Sequence, residues 1–380
     1  MDKFICALTG FVAFGFTTTA LAGEVAGSSP PLKVLSEGRG TLFRANPTVQ
    51  FVVHSERANQ DFLVQVTPPG SAPWLPGQKA AVAYVLDGGF GIVAPAARYV
   101  GGTRAMLPAY VVTIAYAARG SRERDLLFAH AIRPDGSEAT GGGGEAFMAF
   151  LLEELRPFIE AKYPVDPEKS VLAGDSLAGL FTANVLARRP DAFSGYLIGS
   201  PSVWADPEVV DRLRRVRPER QSRVFVAYGE AEVPYMVRGG HGVARAVARN
   251  RALISREHVV RDADHRSAFP ELMAQGLSYL LPQTRPIAFS DPVHPPLETL
   301  RRYEGVYVLS DGRKMEVSLK EGRLTTALAS PVELYPTRSP GRFLVEGYNA
   351  ELIFEEPKNG AANLLRVVLN GDEAVARRTP

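Results

Sequence analysis

Five short, mainly apolar runs constrain this chain more than any other feature. They lie at 81–86, 110–115, 170–173, 195–199 and 223–228. Runs that are apolar on both faces are typical of central strands in a parallel sheet covered by helices. Between them, 145–163 carries apolar residues at spacings of three and four, which predicts an amphipathic helix that Pro157 bends. This alternation predicts an α/β fold with a doubly wound sheet, flanked by earlier strands at 51–54 and 62–66.

The composition predicts two domains of unequal size. The chain has 380 residues, 46% of them apolar and 22% charged, which is too long for one small globular domain. Prolines cluster between 283 and 296, and we interpret this stretch as a semi-rigid linker. Alternating apolar segments separated by Asp-Gly, Glu-Gly and Asn-Gly pairs follow it. We therefore expect an α/β domain at 40–282 and a small antiparallel β domain at 297–380.

The first 22 residues have the pattern of a secretory signal peptide. Lys3 precedes an apolar run that ends near Phe16, and Ala20-Leu21-Ala22 supplies the small residues of a cleavage site. The run is short for a membrane span, although an uncleaved N-terminal anchor is the alternative. Cys6, the only cysteine, lies in this segment. The expected mature protein is periplasmic or secreted and has no thiol.

Charge and histidine patterns exclude several classes of partner. The 43 basic and 41 acidic residues are interspersed and give a formal net charge of +2, without a basic stretch that would follow a nucleic-acid backbone. The histidines are not paired at metal-ligand spacing, and the glycine run 141–144 lacks a phosphate-loop pattern. We expect no metal, no organic cofactor and no nucleic acid.

The stretch Gly174-Asp175-Ser176-Leu177-Ala178 allows two interpretations. A GDSL-type lipase would use these letters near its mature N-terminus and would pair them with D-x-x-H, which Asp262 to His265 matches. Ser176, however, follows several predicted strands, and the further blocks that supply that fold's oxyanion donors are missing. An α/β-hydrolase places its nucleophile on a tight turn between strand and helix, with small residues two positions to either side. The strand before residue 174 and the helix predicted at 177–188 favour this second interpretation.

The α/β-hydrolase fold also requires the chain order serine, acid, histidine. Glu230 and Glu232 follow the strand at 223–228, and His265 precedes the last helix, predicted at 269–281. A serine needs an imidazole to accept its proton, and the imidazole needs a carboxylate to fix its tautomer. The N–H of Leu177 and the turn Asp87-Gly88-Gly89 are the candidate oxyanion donors.

Several motifs follow one another along the chain, namely 86–89, Arg124-Asp125, FMAFLLEELRPFIEAKY, AGDSLAGLF, RPDAF and 200–204. In this order they resemble the bacterial esterase family of α/β-hydrolases, which includes siderophore esterases of the enterobactin type and has esterase D, feruloyl esterases and mycolyltransferases as relatives. The resemblance implies Ser176 as nucleophile, His265 as base, Glu232 as the acid, and the Gly89 and Leu177 amides as oxyanion hole. Glu230 or Asp262 remains an alternative acid. Asp175 and Ala178 depart from the family pattern.

Three residues and the C-terminal tail carry further expectations. Gly88, Phe90 and Trp204 are candidates for binding the substrate. The tail, with LRRYEGVY at 300–307, resembles the small lipocalin-like β domain found behind serine β-lactamase-like hydrolases. The predicted function is that of a serine esterase acting on a small-molecule ester, such as a siderophore lactone, an acylated sugar or a small acyl ester. Acyl transfer by the same triad, or a degenerate ligand-binding protein, is the alternative.

Overall fold

The structure, a computed structural model, describes residues 32–39, 48–70, 75–116, 122–291, 293–327, 331–355 and 360–379. The expected signal peptide at 1–22 lies outside these residues. In the described part of the chain, no helix combines the length and the apolar character needed to cross a membrane.

The N-terminal domain is built on a mixed nine-stranded sheet. Along the sheet the strand order is β1-β2-β3-β5-β4-β8-β9-β10-β11, and a separate hairpin contains β6 and β7. The strands are β1 (Lys33–Arg39), β2 (Val49–Ser55), β3 (Gln60–Thr67), β4 (Ala80–Val85), β5 (Ala109–Tyr116), β6 (Ala131–Ile132), β7 (Glu138–Ala139), β8 (Val165–Asp175), β9 (Gly195–Gly199), β10 (Ser222–Gly229) and β11 (Leu253–Val260).

Pairing in this sheet changes from antiparallel to parallel at β5. Strands β1, β2, β3 and β5 pair antiparallel, whereas β5, β4, β8, β9, β10 and β11 run parallel to one another. The five apolar runs are the central parallel strands β4, β5, β8, β9 and β10. The predicted α/β fold is therefore confirmed. The sheet begins at Lys33, before the expected domain start at residue 40.

Helices cover both faces of the sheet. They are α1 (Val93–Val100), α2 (Arg122–Leu126), α3 (Gly144–Ala149), α4 (Arg156–Lys162), α5 (Leu177–Arg188), α6 (Val209–Arg215), α7 (Pro234–Arg249), α8 (Phe269–Leu280) and α9 (Leu297–Arg301), the last of which precedes the C-terminal barrel. Two 3-10 helices occupy Leu86–Gly91 and Val203–Ala205, and a π-helical segment occupies Phe150–Leu155.

Alternate residues of the central strands pack into two separate cores. Tyr84 and Leu172 face one core with α3 to α7, whereas Val85 and Ala173 face the other core with α1 and α8. This period-two alternation explains why the central strands are apolar at every position. It also places α1 and α8 side by side on the same face.

The long amphipathic helix predicted at 145–163 is interrupted. Its π-helical segment Phe150–Leu155 ends two residues before Pro157, which has no N–H to continue the α-helical hydrogen bonds. Within this segment the buried Glu154 accepts a 2.5 Å hydrogen bond from Ser55 Oγ on β2. The distortion that the sequence predicted at the proline therefore lies in the turn before it.

The C-terminal domain is a closed eight-stranded antiparallel barrel. Its apolar core includes Tyr307, Phe343 and Phe354, and Leu300 of α9 joins it. Closure leaves no free strand edge. The strands are β12 (Gly305–Leu309), β13 (Lys314–Lys320), β14 (Arg323–Ala327), β15 (Pro331–Pro336), β16 (Arg342–Val345), β17 (Ala350–Phe354), β18 (Leu364–Leu369) and β19 (Asp372–Arg378).

Buried polar contacts join the barrel to the α/β domain. Gln283 Nε2 donates to Thr103 O (2.8 Å) and to Asn370 Oδ1 of the barrel (2.9 Å). Asn349 Oδ1 accepts a 2.8 Å hydrogen bond from Ile287 N, and Asn349 N donates to Gly102 O at 2.9 Å. The first residues of the proline-rich stretch therefore lie between the two domains and bind both.

Candidate active site

Ser176 occupies a strained turn between β8 and α5. Its φ of 62° and ψ of −120° lie in a region that non-glycine residues rarely adopt. Its N–H donates to Gly199 O (3.0 Å), and its carbonyl accepts from Leu180 N (3.0 Å) and Ser202 N (3.1 Å). These backbone bonds hold the serine at the carboxyl end of the parallel strands and at the N-terminus of a 12-residue helix.

Small residues around Ser176 allow the backbone to pack this tightly. A Cβ at Gly174 would lie 2.3 Å from Ala178 O, and one at Gly179 would lie 2.1 Å from Gly199 O. Both distances are shorter than any tolerable contact. Ala178, where the family pattern has glycine, is fully buried and does fit. The turn therefore depends on glycine at 174 and 179 and accepts a methyl group at 178.

Glu232 and His265 form a hydrogen-bonded pair beside this turn. Glu232 follows β10 and His265 follows β11, and His265 Nδ1 lies 2.9 Å from Glu232 Oε2. The Glu232 carboxylate is fully buried, while the imidazole is 41% exposed. A proton on Nδ1 leaves Nε2 unprotonated, which is the tautomer that a general base requires.

The other oxygen of Glu232 is held by two donors. Ser200 Oγ donates to Glu232 Oε1 at 2.6 Å, and Gly229 N donates to it at 2.8 Å. Burial raises the pKa of Glu232, but hydrogen bonds from His265, Ser200 and Gly229 outweigh it and hold the pKa below its usual value. The same hydrogen bond to Glu232 raises the pKa of His265, against the opposing effect of burial.

A capped turn presents His265. Asp264 Oδ1 accepts hydrogen bonds from Arg266 N and Ser267 N, both at 2.9 Å. The alternative acids lie elsewhere, since Asp262 N donates to Glu230 Oε2 at 3.1 Å and both residues are exposed. Of the three acids considered from the sequence, Glu232 is the one at hydrogen-bonding distance from the imidazole.

Ser176 and His265 line the same open cleft, which has a volume of about 350 Å³. Among the described residues, no hydrogen bond joins their side chains, and Ser176 Oγ lies 3.4 Å from Ser202 Oγ. In hydrolases, the hydrogen bond between a serine hydroxyl and an imidazole is often long before substrate binds. The other lining residues are Ile92, Arg122, Asp175, Arg266, Phe269 and Pro270.

Two further charged residues shape the electrostatics of this cleft. Burial raises the pKa of Asp175 to about 7, an effect that the nearby charge of His265 opposes, and its Oδ1 has no hydrogen-bond partner within the described structure. Arg122 binds Asp87 with both ends of its guanidinium, at 2.8 Å and 2.6 Å. This bidentate pair fixes the turn after β4 against α2.

The remaining predicted residues lie on different elements. Leu177 is the first residue of α5, where the N–H has no partner inside the helix. Gly88 and Gly89 lie in the 3-10 helix at the end of β4, next to the cleft residue Ile92. Trp204 packs against the core that α3 to α7 share and is not among the residues that line the cleft. The side chain of Phe90 lies outside the described part of the structure.

The sequence alone does not indicate the positions that Ser200, Ser202 and Arg122 take at this site. Ser200 and Ser202 belong to a motif that the resemblance included, but nothing local indicates that one binds Glu232 and the other approaches Ser176. Ser200 has a φ of 34°, which is unusual for a serine, and it is fully buried. In the described chain, no three His, Cys, Asp or Glu side chains meet in an arrangement that could hold a metal ion.

Comparison with known proteins identifies the family. A family model described as "Putative esterase" matches residues 55–270. Ferri-bacillibactin esterase BesA from Bacillus subtilis (strain 168) is 29% identical over 279 residues, which cover 68% of this chain and 93% of BesA. Siderophore triacetylfusarinine C esterase from Aspergillus fumigatus is 28% identical over 175 residues, which cover 41% of this chain and 56% of that protein.

Solved structures share the fold of the N-terminal domain. The BES protein from Bacillus cereus has a TM-score of 0.56 and 24% identity, covering 64% of this chain and 98% of that one. An IroE-like serine hydrolase from Shewanella oneidensis has a TM-score of 0.55 and 20% identity, covering 62% of this chain and 80% of that one. The family match ends at residue 270, before the barrel begins. Because the family match spans more than half of the chain, the protein belongs to the putative-esterase family of α/β-hydrolases and is a carboxylic ester hydrolase.

Proposed function

We propose that the protein is a serine esterase that cleaves its substrate through an acyl-enzyme on Ser176. The observation that carries the proposal is the hydrogen-bonded pair of His265 and a buried, three-fold hydrogen-bonded Glu232, which shares a cleft with a serine on a strained turn. Strain of this kind is concentrated at functional sites. A serine with only a structural role would not require a strained backbone conformation.

The chemistry follows from these positions. Ser176 Oγ attacks the ester carbonyl carbon while its proton passes to His265 Nε2, and the resulting imidazolium is stabilised by Glu232. The N–H groups of Leu177 and Gly89 donate to the oxyanion. The imidazolium then protonates the leaving alkoxide, and the acyl-enzyme remains. Water, deprotonated by His265, attacks the acyl-enzyme, releases the acid and restores Ser176.

The names of the curated relatives supply the first substrate to test. One relative is named a ferri-bacillibactin esterase and the other a siderophore triacetylfusarinine C esterase. We therefore propose a siderophore lactone as a candidate substrate beside simple acyl esters. The signal-like segment at 1–22 supports a periplasmic or secreted enzyme, where such substrates would be met.

Fluorophosphonate labelling tests the nucleophile directly. We expect one adduct by intact mass on the wild type, none on Ser176→Ala, and a normal adduct on Ser202→Ala, whose hydroxyl lies 3.4 Å from that of Ser176. Turnover of p-nitrophenyl acetate should be lost with the same variant. A wild type that neither labels nor hydrolyses any ester would instead favour a degenerate ligand-binding protein.

Product analysis separates hydrolysis from acyl transfer. With a sugar or glycerol present, a hydrolase releases the free acid, whereas an acyltransferase forms a new ester with the added alcohol. The half-exposed imidazole leaves water access to the acyl-enzyme, so we expect free acid as the main product.

A further inference from the structure

We infer that an apolar groove between α1 and α8 binds the acyl chain of the substrate, which favours, among the candidates above, simple esters of unbranched aliphatic acids over a siderophore lactone. This inference rests on the proposed function, because it assigns a substrate class to the acyl-enzyme of Ser176. It concerns a second cavity that lies next to the catalytic cleft.

The groove starts at the active site. Ile92 and Pro270 line both the catalytic cleft and the groove, and Ile92 is 42% exposed although it is a large apolar residue. Helix α1 begins directly after the 3-10 helix that contains Gly89, and α8 begins four residues after His265. Both helices therefore lead away from the catalytic residues, and the space between them opens where an acyl group on Ser176 would emerge.

The shape and lining of the groove suit one alkyl chain. From Pro270 to Leu277 the helix rises about 10 Å, which sets the length of the groove. Its volume is small, about 90 Å³, which suits an extended unbranched chain better than a bulky acyl group. Apart from Ser278, the lining side chains are apolar, and they include Ala96, Ala97, Val100, Met273, Ala274 and Leu277.

Small residues create this space. Ala97 and Met273 are buried and form the floor, whereas Ala96 and Ala274 are exposed and form the rims. A larger residue at position 274 would extend across the opening without entering the core. An acyl chain in the groove would bury its own apolar surface and that of the two helices. This burial should increase affinity about fourfold for each methylene group.

The experiment measures kcat/KM for p-nitrophenyl acetate, butyrate and octanoate on three proteins. The wild type should prefer octanoate and butyrate to acetate by roughly tenfold or more. Ala274→Phe should remove this preference and leave acetate turnover within about twofold. Gln275→Phe, which adds the same ring to an exposed neighbouring position on α8 outside the groove, should behave as the wild type.

A second variant determines where the chain lies. Ser278 lines the far end of the groove, so Ser278→Phe should reduce octanoate turnover and leave butyrate unchanged. A wild type that prefers acetate, or an Ala274→Phe protein with the acyl-length profile of Gln275→Phe, would overturn the inference while leaving the serine esterase intact. Loss of all turnover, together with no label on Ser176 in the wild type, would overturn both.

Discussion

At the scale of single residues, the proposed active site contains two carboxyl groups in opposite environments. Glu232 is surrounded by donors, which hold its pKa low, whereas burial without a partner for Oδ1 raises the pKa of Asp175 to about 7. Pairs of carboxyl groups with divergent pKa values are common in hydrolytic enzymes. Here the difference assigns the permanent charge to Glu232 and leaves Asp175 to titrate close to neutral pH.

Asp175→Asn should therefore stabilise the protein at high pH. The pKa of Asp175 rises from 3.8 to about 7 on folding, so between these values the folded protein holds a proton that the unfolded chain has lost. Stability from this group is complete below pH 3.8 and is lost as the pH rises through 7. Asparagine has the shape of the neutral acid and no proton to lose. We expect a gain of up to about 4 kcal/mol in the free energy of unfolding at pH 8.

Urea unfolding at pH 5 and pH 8 measures this effect. At pH 5 the wild-type carboxyl is mostly protonated, so the variant should gain less there than at pH 8. The groups that face Asp175, namely His265, Glu232, Asp87 and Arg122, are unchanged by the substitution. An equal gain at both pH values would show that Asp175 is not protonated in the folded protein.

Glu232→Gln should nearly abolish turnover. The amide oxygen of glutamine can still accept from Ser200 and Gly229, which directs the amide N–H₂ group at His265 Nδ1. Nδ1 must then accept, its proton moves to Nε2, and the base that faces Ser176 is lost. We expect a fall in kcat of about 10³- to 10⁴-fold with p-nitrophenyl acetate. The matched control, Glu230→Gln, should retain activity because Glu230 binds Asp262 N instead.

The order of residues along the chain predicted the candidate nucleophile, base and acid, because the α/β-hydrolase fold brings the ends of successive strands to one edge. It did not predict the contacts of Ser200 or of Arg122 with Asp87. These pairs are separated by more than thirty residues and depend on side-chain direction. Local sequence carries little information about such contacts.

At the scale of secondary-structure elements, the position of α5 depends on Gly179. Glycine inside a helix normally costs about 0.5–1 kcal/mol relative to alanine. At Gly179, however, an added Cβ would lie 2.1 Å from the backbone oxygen of Gly199 on β9. The helix would have to move away from the sheet and would carry Ser176 and Leu177 with it.

Gly179→Ala should therefore destabilise the protein by about 1–3 kcal/mol or more and reduce turnover. The control is Gly242→Ala on α7, where the nearest atom to an added Cβ is 3.8 Å away, and this variant should be more stable than the wild type by up to about 1 kcal/mol. Urea midpoints measure both. If the two variants shifted the midpoint in the same direction, close packing at Gly179 would not be what positions α5.

Elements with a clear pattern of apolar residues could be predicted from the sequence, whereas elements that depend on tertiary contacts could not. The apolar runs predicted the central strands because both of their faces are buried. The π-helical segment Phe150–Leu155 could not be placed from the sequence, since its register depends on Pro157 and on the contact of Glu154 with Ser55 of β2. Glycine pairs predicted hairpins in the tail, but closure into a barrel requires β12 to pair with β19, a contact between the two ends of the domain.

At the scale of the whole molecule, the barrel binds the α/β domain through buried polar groups. A proline-rich composition predicts a spacer, and sequence alone does not indicate which residues on either side bind it. In the structure, Gln283 contacts both domains and Asn349 binds residues 285 and 287. Loss of such contacts leaves buried groups unpaired, which costs more than the contacts themselves contribute.

Asn349→Ala should uncouple the two domains. The side chain is fully buried, and its removal leaves Ile287 N (2.8 Å) and Arg285 O (3.1 Å) without their partner, at a cost of about 2–4 kcal/mol. The wild type should unfold in one calorimetric transition and the variant in two. A nonspecific protease should cut the variant within residues 283–296, with fragments identified by intact mass. Asn363→Ala, at an exposed barrel position, should unfold and resist cleavage as the wild type does.

Esterase activity should survive in Asn349→Ala, because no residue of the barrel is among those that line the cleft of Ser176. If activity were lost together with the single unfolding transition, the barrel would instead be a structural support of the active site.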